Sequence, residues 1–332
     1  MGVLTDKIAI IRYRLSYIPE AVALISVIVL FVFFSIAAPN FLTPLSIGNI
    51  LTFGSIVATV TIGVAILMIA GEFDLSVGSN FAVTSYVIAL SLIAGLSVWL
   101  AIPLAILAST SLGLLNGIIV TKTRIPSFIC TLGTMLAYRG IVRAIGKGSF
   151  ATYKGDPIPL FKILNGDFNL LNQYFDVQAF RTSMVWFILL AIIFTLILMR
   201  TRFGNWIYAS GGAPVAALAQ GVNVNRVKIL CFTLTGFMVA IASTMQFSHR
   251  LSVDPLRGEG MELLVVASCV IGGVRLTGGY GTIIGAILGA FLLQMLDQGL
   301  VLMQIPIQVF QACVGLIIIT SVILNTYLGK GD

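Results

Sequence analysis

Apolar residues gather along the chain in blocks of about 17–25, the length at which a helix crosses the hydrocarbon core of a bilayer. Short polar or glycine-rich connectors separate the blocks. This pattern predicts ten helical crossings, at about 21–38, 47–70, 75–94, 97–120, 127–146, 183–199, 229–249, 261–274, 281–303 and 306–325. Ser46 reads as the N-cap of the second and Pro103 as a kink in the fourth. The eighth is short and interrupted. Long apolar runs exclude the alternating ten-residue strands of an outer-membrane barrel. The fold class is all-α: a polytopic helical membrane protein of about ten transmembrane helices with broken segments. Residues 1–332 read as a single transmembrane domain, because the longest polar stretch, 147–182, is too short for an independent core. The first block follows Lys7, Arg12 and Arg14 but is long for a signal core and runs into Pro39. It reads as a retained span.

Composition agrees. Of the 332 residues, 58% are hydrophobic and 9% charged, against about 25% charged in an average soluble domain; the mean hydropathy is +1.07. A soluble enzyme, a disordered chain and a disulfide-stapled secreted domain are all excluded. The net charge of +7 points to the positive-inside bias of membrane loops rather than to nucleic acid. The loop 200–228 holds Arg200, Arg202, Arg226 and Lys228 with no acid. The stretch 147–182 offsets Lys147, Lys154, Lys162 and Arg181 with Asp156, Asp167 and Asp176. The bias makes 200–228 cytoplasmic, 147–182 the outer loop, and both termini cytoplasmic.

Catalytic chemistry is missing from the pattern. Gly140, Gly146, Lys147 and Gly148 miss phosphate-loop spacing, and Gly148 replaces the hydroxyl residue that would hold magnesium. Cys130, Cys231, Cys269 and Cys313 lie far apart in apolar blocks, and His249 is the only histidine. No metal or cofactor site is expected. If transport here consumes ATP, a separate chain must hydrolyse it.

Four stretches concentrate polar or glycine residues near hydrocarbon. Glu72, Asp74 and Ser76 lie in the turn 71–79, where Asp74 suits the N-terminus of the third span and the turn suits a path or gate. Gly113 and Gly117 form a small-xxx-small face; Asn116 and Thr131 need polar partners at membrane depth, and Arg139 is costly unless paired. In 203–224, Pro214 opens and Gly221 closes a short alanine-rich helix, 214–220, of the kind that docks in another protein's cleft. In 255–285, Glu262 precedes a short span and Gly272-Gly273, Gly278-Gly279 and Gly281 break the helix. Gly281, Gly285 and Gly289 continue as a packing face. Asp297 and Gln298 add polarity to the ninth span.

Together the stretches Gly71–Ser79, Gly113–Gly140, Gly211–Gly221 and Pro255–Gly281 resemble, in order and spacing, the membrane-spanning permeases of bacterial ABC importers. They look most like the ribose/xylose/galactose group of the superfamily shared with branched-chain amino-acid permeases, over about residues 40–325. The resemblance implies a multi-pass protein of the bacterial inner membrane carrying a small polar solute, expected to be a monosaccharide or related polyol. It implies a second permease subunit, the same or paired, surrounding lipid, a cytoplasmic ABC ATPase subunit, and a periplasmic or extracellular solute-binding protein. On that reading Gly212, Pro214, Ala216, Ala217 and Gly221 couple to the ATPase. Glu72, Asp74, Ser76, Asn116, Glu262, Asp297 and Gln298 are the path or gate candidates. Three departures stand out: Val215 where relatives commonly carry Glu, Ala213 where Asn is frequent, and Asp297-Gln298 where paired asparagines are frequent.

The alternative is an ion-gradient-driven secondary transporter, which also uses broken helices and intramembrane acids. Against it stand the helix-forming cytoplasmic loop, the lone His249, and the expectation that Asp74 and Glu262 fall on opposite sides. A passive channel lacks repeated filter residues.

Overall fold

The computed structural model describes residues 20–328; Lys7, Arg12 and Arg14, ahead of the first span, lie outside the described residues. Ten helices stand at the ten expected positions: α1 (Ala21–Ala37), α2 (Pro44–Ile69), α3 (Val77–Ile93), α4 (Val98–Thr123), α5 (Ser127–Gly146), α8 (Ser183–Arg200), α11 (Val224–Arg250), α12 (Met261–Ile271), α13 (Ile283–Leu302) and α14 (Ile307–Leu328). Six of them, α2, α4, α5, α8, α11 and α13, are long and apolar enough to cross a membrane; α1, α3, α12 and the Gln308–Ile317 part of α14 are shorter apolar helices. Two small helices, α6 (Pro159–Asn165) and α7 (Asn169–Phe175), interrupt the outer polar stretch. Two more, α9 (Arg202–Gly212) and α10 (Pro214–Ala219), fill the basic loop.

Several boundaries move, each for a local reason. Ser46 does not cap α2. Thr43 does, its Oγ1 accepting the Ser46 N–H at 3.3 Å, with Pro44 in the first turn, where its missing N–H costs nothing. Helix α11 begins at Val224 because the Asn223 side chain accepts the Arg226 N–H at 3.0 Å. The outer stretch is anchored to the bundle. A two-residue strand β1 (Ala151–Thr152) pairs antiparallel with β2 (Ser252–Val253), Ala151 opposite Val253, and Asn165 donates to the Met245 carbonyl on α11 at 2.9 Å.

Helices α2 and α11 form the centre, and α2 is buried over most of its length. Neighbouring spans reach them through glycine and hydroxyl side chains, because lipid tails give apolar helices little reason to associate and close backbone packing must supply the attraction. A Cβ at Gly113 would strike the Phe232 carbonyl and one at Gly117 would crowd Ile229, so α4 lies backbone-to-backbone on α11. Ser109 donates to the Gly236 carbonyl across the same seam at 2.7 Å. Helix α13 meets α12 in the same manner: a side chain at Gly285 would fall on the Gly272 carbonyl, and one at Gly289 on the Ser268 carbonyl. One end of the bundle carries α9, α10 and the glycine-rich loop 272–282; the other carries β1, β2, α6 and α7.

Gly289→Val is therefore expected to destabilise the protein by about 1–3 kcal/mol through overpacking, read as a lower thermal midpoint in detergent. Gly140→Ala, whose added carbon meets open space, is expected to leave the midpoint unchanged or slightly raised.

Candidate functional site

The turn between α2 and α3 is polar, buried and non-helical. Gly71 ends α2 with φ +83°, and α3 does not begin until Val77. The intervening backbone N–H groups need partners, and α5 supplies them: Phe73 N–H donates to Ser127 Oγ at 3.0 Å and Leu75 N–H to Thr131 Oγ1 at 3.1 Å. Asp74, only 2% exposed, accepts the Ser76 N–H at 2.8 Å and the Ser76 hydroxyl at 2.6 Å through one carboxylate oxygen. Asp74 thus closes a turn just ahead of the helix, and the position that caps α3 is Ser76. Asn116 reaches in from α4, its amide donating to Ser76 Oγ at 2.8 Å and lying 3.4 Å from both Asp74 oxygens. The Tyr138 hydroxyl on α5 donates to Asn116 Oδ1 at 3.1 Å. Asn116 stands seven residues before Thr123, so the network lies about 10 Å inside the end of α4.

Three predicted residues, Asp74, Ser76 and Asn116, are brought together here. Glu72 sits at the edge of the same turn and pairs with Lys228 of α11. Glu262 also reaches α3: a Cβ at Gly78 would meet Glu262 Oε2 and the Gly258 carbonyl. The expectation that Asp74 and Glu262 lie on opposite sides is thereby overturned, because α3 starts deep and its first turn packs against the N-terminus of α12. Arg139 is no lipid-facing charge; it is buried, donating to the Pro255 and Arg257 carbonyls at 3.1 and 2.7 Å. It ties α5 to the segment that leads into α12.

Asp297 and Gln298 do not join this network. Along α13 they stand about 20 Å from the Thr282 end, in the opposite half of the bundle. Asp297 meets Gln294 at 3.5 Å, and neighbouring Gly299 packs on Phe34 of α1.

At the other end of the turn three glycine segments converge. The Gly279 N–H donates to the Ile69 carbonyl at 2.8 Å. A Cβ at Gly211 would strike that same carbonyl, one at Gly279 would strike Gly212, and one at Gly278 would crowd Gly71. The end of α2, the end of α9 and the loop 272–282 therefore touch through bare backbone, a closeness that any side chain would prevent. The Tyr208 hydroxyl adds a bond from α9 to the Gly281 carbonyl at 2.8 Å. Burial pushes that phenol up from its ordinary value, so it remains a donor at neutral pH.

Pro214 opens α10 immediately beyond this junction, and Gly221, with φ +83°, ends it. Val215 is 81% exposed and Leu218 58%, whereas Ala217 is 4% exposed. Ala216 and Gly212 are also exposed. Ala217 thus cannot be a docking contact; the small side chain lets α10 lie on its own chain, and Val215 and Leu218 form the outward surface.

Sequence reasoning missed Ser127, Tyr138, Lys228 and Tyr208 as parts of the site. It also missed a buried seam in which Asn80 donates to the Ser109 carbonyl at 3.2 Å and the Ser85 and Ser243 hydroxyls meet at 2.8 Å. Ser127 carried a signal, a hydroxyl directly after Pro126 at a helix start; the others are ordinary polar residues whose partners lie on other elements, 22 to 158 positions away.

Residues 46–322 match the family described as branched-chain amino acid transport system / permease component. The ribose import permease protein RbsC of Haemophilus influenzae is 32% identical over 315 residues, 94% of this chain and 95% of that protein. RbsC of Bacillus subtilis is 32% identical over 90% of this chain and 89% of its own. The autoinducer 2 import system permease protein LsrC of Yersinia enterocolitica is 32% identical over 86% of this chain and 77% of its own.

Asn116→Leu removes the amide donor to Ser76 Oγ and the acceptor of the Tyr138 hydroxyl in a buried site, while Asp74 keeps both bonds from Ser76. Leaving buried polar groups short of a partner costs about 1–3 kcal/mol, so a lower thermal midpoint is expected. Glu72→Gln, at a largely buried pair, is expected to cost about 1.5–3 kcal/mol by the same measurement.

Proposed function

Because this chain belongs to the permease family of branched-chain amino acid transport systems, we propose that it is the membrane-spanning subunit of an ATP-driven importer for a small sugar-type solute. It is a multi-pass membrane protein and a transport subunit, and ATP is hydrolysed on a separate chain. The observation that carries the solute class is the end-to-end similarity to permeases named for ribose and autoinducer 2, which covers 86–94% of the chain. The family match at 46–322 spans both the Asp74 network and the glycine junction.

In this proposal a cytoplasmic ATPase subunit docks on α10 through Val215 and Leu218. Their apolar character, in place of a glutamate at 215, makes the contact less polar than in typical relatives. Movement of α10 passes through Gly211, Gly212 and Gly279 to Gly71 and so to the turn that holds Asp74. A solute-binding protein delivers to the end of the bundle bearing β1 and β2. Two permease subunits stand side by side, as a homodimer or a pair, with both termini of each in the cytoplasm. The polar seam of Asp74, Ser76, Asn116 and Asn80, rich in donors and acceptors, suits a hydroxyl-bearing solute better than an apolar one.

Two measurements test this. Uptake of ribose by vesicles holding the permease with its ATPase and binding protein is expected to stop without ATP and to persist when a protonophore collapses the ion gradient; the reverse pattern would identify a secondary transporter. Val215→Asp with Leu218→Asp is expected to lower co-purification of the ATPase at least about tenfold, the scale of losing an interface anchor, while the permease still inserts and folds. Unchanged co-purification would remove α10 as the docking element.

A further inference from the structure

At the end of the bundle opposite α10, the last turns of α3 and α5, the segment after α5 and β1 line an open cavity of about 420 Å³. Its floor is built. The buried Tyr86 hydroxyl donates to the Ser149 carbonyl at 2.9 Å, and a Cβ at Gly146 would meet that phenol, so α5 must end in glycine for Tyr86 to fit beneath it. Lys147 follows in the left-handed conformation, φ +49°, which turns the chain across the mouth. Lys147 and Lys154 both line the cavity, and among the described residues neither forms an ion pair. Asp254, next to β2, is paired with Arg257 at 3.0 Å, and Asp156, two residues past Lys154, is exposed and forms no ion pair among the described residues.

The other walls are apolar and uncovered. Ile93 at the end of α3, Ile145 at the end of α5 and Phe150 beyond it all line the cavity and are exposed. They sit at the ends of two helices whose outward faces meet lipid. Two unpaired cations directly above exposed aliphatic and aromatic side chains match one kind of molecule, with an anionic head and hydrocarbon tails.

We infer that this cavity binds the phosphate headgroup of an anionic glycerophospholipid from the outer leaflet, with Lys147 and Lys154 on the phosphate and the acyl chains along Ile93, Ile145 and Phe150. The site is independent of the solute path. It touches β1, and β1 pairs with β2, the strand that leads towards Glu262 and α12. An occupied headgroup site would therefore brace the outer loop against α3 and α5.

The test uses the full-length chain in nanodiscs of phosphatidylcholine containing a minor fraction of phosphatidylglycerol, with retained lipids counted by native mass spectrometry. Phosphatidylglycerol is expected to be retained over phosphatidylcholine. Lys147→Gln with Lys154→Gln is expected to cut that preference about tenfold or more, since each lysine near a phosphate contributes measurably. Lys122→Gln at the opposite end is expected to leave it intact. Both cavity lysines are exposed, so folding is unaffected, and an unchanged elution profile and thermal midpoint check this. Equal retention by the double variant overturns the site. Displacement of phosphatidylglycerol by inorganic phosphate, with phosphate held equally well in lipid-free detergent, overturns the lipid in favour of a free anion. Unchanged lipid retention with loss of binding-protein association overturns it in favour of a protein contact.

Discussion

A backbone that leaves the helix inside a membrane must find hydrogen-bond partners within the protein, because hydrocarbon offers none. That constraint governs the break at 70–76. Helix α2 stops at Ile69 and α3 begins only at Val77, and the N–H groups between them are satisfied by Ser127 and Thr131 of α5 and by the Asp74 carboxylate. Because those partners come from α5, α5 must lie along the turn. Because Asp74 is buried, Asn116 must come in from α4, and Tyr138 must then orient Asn116. The placement of two helices, α4 and α5, follows from satisfying one short segment.

The same segment is held at its other end by an absence of side chains. Gly71, Gly211, Gly212, Gly278 and Gly279 bring three pieces of backbone into contact, so α9 and the turn cannot shift independently without separating backbone from backbone. Packed interfaces of this kind have discrete arrangements rather than graded ones. In the proposed coupling, a displacement of α10, attached to α9 through Ala213, would reach the Asp74 turn as a change of packing. Tyr208 and Lys228 add polar links between the same parts. The glycines supply the closeness and the two side chains the directionality.

Much of this was legible in the sequence. The spans fell within a few residues of their observed positions, because a bilayer imposes a length that composition alone reveals. Pro214 and Gly221 marked α10 correctly, since their backbone preferences act locally. Glycines at 113, 117, 285 and 289 read as packing faces and are packing faces. The errors share a different origin. Ser46 reads as a cap because its residue type suits the role, but the chain's path puts Thr43 there. Glu262 was separated from Asp74 because a span was treated as a full crossing, whereas α3 starts partway through. Ala217 looked like a contact because a small residue on a short helix suits either face.

The sequence by itself determined that the chain is an all-α polytopic membrane protein, where its ten apolar helices lie, and which segments break; among the described residues six of those helices are long and apolar enough to cross a membrane. These properties depend on the solvent and on neighbours a few residues away. Only the tertiary structure decided which polar groups meet. Asp74 with Asn116, Glu72 with Lys228, Arg139 with the Pro255 carbonyl, and Gly211 with Ile69 are separated by 42 to 156 positions. A buried polar atom announces that it needs a partner but carries nothing that names one. The choice is made when whole helices settle against each other, at the positions where glycine lets them come close enough.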